Sequence, residues 1–159
     1  MNKKILTLVS RINEELKEVH RITQRINNAW ENAKTKKDDL YLDSVALNLH
    51  GFYSCLERVF ELIAKNIDGS IPEGENWHQE LLRQMLTEIK QVRPAVISRD
   101  SYDDLNEYRG FRHVVRNVYT FNLSIKKLKP LVYDIDSVYA SVKNEIEKFI
   151  QLINIQATI

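Results

Sequence analysis

Between Arg109 and Tyr119 the chain gathers the residue types that handle phosphodiesters, in the string Tyr108-Arg-Gly-Phe-Arg-His-Val-Val-Arg-Asn-Val-Tyr119. Arginine forks grip phosphate oxygens in bidentate fashion. A histidine titrates near neutrality and can take or give a proton. Together they suit the binding of an anion such as a phosphate. Wound as a helix at about 100° per residue, the stretch puts Arg109, Arg112, His113, Arg116, Asn117, Tyr119 and Thr120 on one arc. Tyr108, Phe111, Val114, Val115, Val118 and Phe121 form the other, which requires a core; Leu105 is expected toward the polar side. No acid interrupts the chain between Arg109 and Thr120, and like charges one turn apart repel by a few tenths of a kcal/mol. An anionic partner resolves that repulsion. The competing reading pairs these arginines with acids of a neighbouring helix, for instance Glu57. Lys126, Lys127 and Lys129 extend the basic track or serve solubility alone.

The elements that must position this string are helices. Ile5, Val9, Ile12, Leu16, Val19, Ile22 and Ile26 step by threes and fours, which predicts a long first helix ending near Lys34. After a polar turn, Leu42, Val45, Leu49, Phe52, Leu56, Val59 and Ile63 mark a second, stopped by Gly69 and Pro72. Asn76 with Gln79 suggests a capping box for a third, with Trp77, Leu81, Leu82, Met85 and Ile89 buried. Ser101 with Asp104 is a candidate cap for the basic helix, expected to end around Thr120 to Asn122. Pro130 opens or precedes a last helix built on Leu131, Ile135, Val138, Val142, Ile146, Phe149 and Ile153. About five helices, no strand alternation and no internal repeat predict an all-α helical bundle.

Composition bounds the remaining possibilities. The 159 residues suit a single domain, 1–159, with 43% hydrophobic and 28% charged residues. A net charge of +1 does not announce a nucleic-acid binder, so that case rests on local clustering. The single cysteine, Cys55, excludes an internal disulfide, fits a reducing compartment and reads as a core residue. The apolar run at the N-terminus stops after Val9, too short for a signal sequence, and nothing approaches the ~18 apolar residues of a membrane span. A cytoplasmic protein is expected. There is no glycine-rich phosphate loop, no Gly-x-Ser-x-Gly and no Cys-x-x-Cys. His20, His50, His78 and His113 fall on four different helices without metal-ligand spacing, so neither metal nor cofactor is expected. His78 reads as a structural histidine at a helix start.

The string Arg112-His-Val-Val-Arg-Asn117-Val-Tyr119 resembles the HepT-like branch of the HEPN superfamily, whose mark is an Arg, four to six residues, a His and then a Tyr two further on. Leu49-His-Gly-Phe-Tyr-Ser-Cys-Leu-Glu57 and Pro72-x-Gly-x-x-Trp-His-x-x-Leu-Leu82 support the resemblance, which spans about residues 40 to 135. It implies a metal-independent endoribonuclease working as a two-fold symmetric homodimer or higher assembly, its motif helices meeting in a composite cleft. It further implies a toxin paired with a nucleotidyltransferase antitoxin that can adenylylate the motif tyrosine. Arg112 matches the motif arginine and Tyr119 the tyrosine; Arg109 and Arg116 would contact RNA phosphates.

Asn117 stands where the motif has histidine. An amide has no usable pKa, and loss of a general base costs ~10²–10⁴ in rate. Asn117 can position a water or hydroxyl, and His113, one turn earlier and beside Arg112, is the candidate substitute base. The alternative is a catalytically inactive HEPN module that binds a nucleotide or serves as partner subunit of the nucleotidyltransferase.

Overall fold

The computed structural model describes residues 2–118 and 125–158; the side chains at 113, 114 and 116–118 lie outside that description. Five α-helices follow one another: α1 Lys3–Lys36, α2 Leu40–Ile63, α3 Trp77–Leu86, α4 Arg99–Val118 and α5 Ile125–Thr158. No strand occurs among the described residues, and the all-α bundle expected from the periodicity is the architecture found. No described helix is long and apolar enough to cross a membrane.

The middle of the bundle is α2, which packs against each of the other four helices. Its apolar stripe is wide enough to serve several neighbours: Leu49, Phe52, Tyr53, Leu56, Phe60 and Ile63 are all fully buried. The long α1 and α5 flank it, with Ile12, Val19 and Ile26 of α1 and Ile135, Val142 and Ile146 of α5 in the same core. Past Ile63 the helix widens into one π-helical turn, Ala64–Asp68, and stops at Gly69, whose φ of 74° is the left-handed conformation glycine adopts at no steric cost.

Helix starts differ from expectation in three places. Asn76 does occupy the N-cap of α3, but its side chain makes no capping bond; its backbone carbonyl accepts from Glu80 N at 3.0 Å instead. Because α3 ends at Leu86, Ile89 falls in the following turn, bridged to Arg93, rather than on the helix. At α4 the cap is Ser98, whose Oγ accepts from Ser101 N at 3.2 Å. Ser101 itself sits inside the helix and donates its hydroxyl to Glu145 of α5 at 2.7 Å. The same carboxylate accepts from Ser98 N at 2.6 Å, so α5 ties down the start of α4. Finally, α5 begins ahead of Pro130 at Ile125, since the fully buried Leu128 holds the turn before the proline against the core. Pro130 lies inside α5, where it removes one backbone bond without ending the helix.

Candidate functional site

The orientation of α4 decides what its arginines can do. Ser101, Leu105, Tyr108, Phe111 and Val115 are buried, so the stripe facing the core runs through Leu105, contrary to the expectation that it points to the polar side. Steps of three and four from Leu105 reach Tyr108, Arg112 and Val115. Arg112 therefore lies on the core-facing stripe and not opposite it. Tyr108 fixes this rotation twice, packing its ring on Phe52 of α2 at 5.1 Å between centroids and donating its hydroxyl to the Leu131 carbonyl of α5 at 2.7 Å.

From that position the Arg112 guanidinium reaches two other helices. Nη1 is 3.7 Å from Glu57 Oε1 on α2, and 3.1 Å from both Nδ1 and Nε2 of His78 on α3. A donor equally close to both ring nitrogens lies over the ring face, because an in-plane approach would collide with Cε1. Trp77 stacks on the same imidazole, ring centroids 3.6 Å apart. His78 Nδ1 is 2.7 Å from Glu57 Oε2, the shortest contact of the cluster. Glu57 is sealed at 7% exposure, while the Arg112 and His78 side chains each keep 23%. The interior pairing with Glu57 weighed from the sequence is thus present, with part of the arginine still reaching solvent.

Two groups around the cluster feel its charge. Burial, and then Glu57, pushes the Tyr53 hydroxyl far above the ordinary phenol range; Arg109 and Arg112 pull the other way. That hydroxyl is buried with no hydrogen-bond partner among the described residues. Glu61, one turn beyond Glu57, is raised by burial and then by the Glu57 charge.

Arg109 is directed elsewhere. Its Nε donates to Asn106 Oδ1 at 3.0 Å, and it lines an open groove of about 580 Å³ between α4 and α5 with Phe111, Lys126, Lys127 and Leu131. Arg109 and Arg112, expected on one face, accordingly serve two different places. Tyr119 and the side chains of His113, Arg116 and Asn117 lie outside the described residues. His78, read from sequence as structural, is the side chain that contacts Arg112. The local signal was faint: an aromatic pair at a helix start, with its partner 34 residues away.

A family model described as HepT-like protein matches residues 44–153 of the chain. The comparisons with curated proteins and with solved structures give no match.

Proposed function

Because the chain belongs to the HepT-like family, we propose that it is the toxin of a toxin–antitoxin pair, an endoribonuclease that needs no metal. The observation that carries this reading is Arg112. It stands at the position of the family's motif arginine, anchored by Glu57 and His78 yet still 23% exposed. A guanidinium held from behind loses little further freedom when it meets a phosphate, and its fork matches the oxygens of a phosphorane. Two copies bring their α4 helices together across a two-fold axis, and RNA enters the cleft between them. Arg109 and Arg116 extend the phosphate contacts, Asn117 positions a water or hydroxyl, and His113 is the motif-side candidate for proton transfer.

Control comes from a nucleotidyltransferase antitoxin that binds the protein or adenylylates Tyr119. Expression alone then slows growth, and purified protein cleaves RNA in the presence of chelator. Arg112→Ala relieves both effects. Protein made with the antitoxin carries an added nucleoside-monophosphate mass that is absent from Tyr119→Phe. Unchanged growth and intact RNA at high protein concentration would sink this reading.

A second reading draws on Glu57, whose carboxylate offsets the Arg112 charge, and on an asparagine at the motif histidine position. Both suit a non-catalytic HEPN module that binds a nucleotide or acts as the helical partner of a nucleotidyltransferase. It predicts a stable complex with that partner and no cleavage.

A further inference from the structure

Resting on the ribonuclease reading, we infer that His78 is the proton acceptor of the site, supplying from α3 the imidazole nitrogen that Asn117 cannot. Three features of its surroundings support this. First, the Nδ1 edge is fixed: at 2.7 Å from the buried Glu57 carboxylate, Nδ1 carries the proton and donates it to Oε2, which leaves Nε2 as the basic nitrogen. Second, the ring is in contact with both the Trp77 indole and the Arg112 guanidinium, so its orientation is set before substrate arrives. Third, it is adjacent to the arginine that would hold the scissile phosphate, and its side chain is as exposed as that arginine's.

The chemistry balances without another reagent. Nε2 takes the proton of the ribose 2′-hydroxyl as that oxygen attacks the adjacent phosphorus. The bond from phosphorus to the 5′-oxygen breaks, leaving a 2′,3′-cyclic phosphate on one strand. The departing 5′-oxygen takes a proton from water, and the hydroxide so formed recovers the proton from the imidazolium. Glu57 is a positioning residue here: it sets the tautomer and stabilises the imidazolium that forms. Among the described residues, the charged groups facing the ring are Glu57 and Glu61 from α2 and Arg112 from α4.

The test measures RNA cleavage in chelator for the wild type, His78→Ala, His78→Gln and Glu57→Gln, with thermal melts confirming which variants fold. The expected result is a loss of about 10²–10⁴-fold in both His78 variants. Added imidazole should restore part of the rate in His78→Ala, with the rescued rate following the fraction of free imidazole base. Glu57→Gln should lose kcat with little change in KM. A folded His78→Gln that cleaves within a few-fold of an active wild type overturns the assignment and leaves the ribonuclease reading standing. A wild type that cleaves nothing overturns both.

Discussion

Arg93 and Asp68 meet as a bidentate ion pair in the corner where α2, α3 and the following turn converge, Nε to Oδ1 at 2.5 Å and Nη2 to Oδ2 at 2.8 Å. The side chains are 0% and 2% exposed. The remaining donors are used as well, Nη1 on the Thr87 and Pro94 carbonyls and Nη2 on the Gln84 carbonyl. The π-helical turn at the end of α2 carries Asp68 to this meeting point, and the guanidinium in turn satisfies the carbonyls at the end of α3.

Removing either partner strands a buried charge. Arg93→Ala or Asp68→Asn should each lower the unfolding free energy by about 3–5 kcal/mol. Arg93→Lys should recover little, since an ammonium cannot reproduce the planar fork. Urea unfolding of the three variants measures this, and losses under 1 kcal/mol would contradict it.

Tyr53 makes the opposite prediction. Its hydroxyl is buried without a partner among the described residues, so Tyr53→Phe removes a desolvated donor while keeping the ring in the core. The variant should be more stable by about 1 kcal/mol, read as a melting temperature about 2–4 °C higher. A drop of similar size would mean that the hydroxyl has a partner after all.

The same hydroxyl and that of Tyr108 make the fold sensitive to alkali. Burial raises both above the phenol range, with Glu57 adding to the shift at Tyr53 and Asp134 at Tyr108. A group whose pKa is raised on folding gives stability that is complete below its unfolded value and is lost as pH climbs past it. The window therefore opens near pH ~10, the unfolded phenol value. Unfolding free energy should be insensitive to these two groups at pH 8 and should fall steeply above pH 10. Tyr53→Phe should make that fall shallower.

Lys37 ends α1 in the left-handed region, at φ 50° and ψ 43°. A side chain there costs about 1–2 kcal/mol, partly offset by the greater unfolded-state freedom of glycine. Lys37→Gly should gain about 0.5–1 kcal/mol, detectable by thermal melting. No gain would mean that the lysine side chain compensates for its backbone.

Much of this architecture was legible in the sequence because it is periodic. The apolar steps of α1, α2 and α5 placed Ile12, Phe52 and Ile146 in the core where the structure has them. What misled was local detail whose resolution lies across the fold. Leu105 falls on the polar side when the apolar arc is centred near Phe111 and Val118; a centre on Tyr108 takes in Leu105 and brings Arg112 with it. Ser101 and Ser98 are equally good caps by type, and the difference is made by Glu145, 44 and 47 residues further on. The helix–cap pattern at Asn76 was correct as to place and wrong as to bond. Arg93 carries no local signal beside Pro94, since its partner precedes it by 25 residues. At the site, Arg112 and its possible pairing with Glu57 were readable, while the Arg112–His78 contact was not.

The dependence of α4 on Glu145 has a bearing on how the chain is born. Synthesis delivers the arginine-bearing helix well before the carboxylate that ties down its leading amide and the Ser101 hydroxyl. A ribosome-bound fragment ending between the two lacks that tether, so the start of α4 is free to fray. Residue 145 must therefore be made before the leading turn of α4 can be moored to α5.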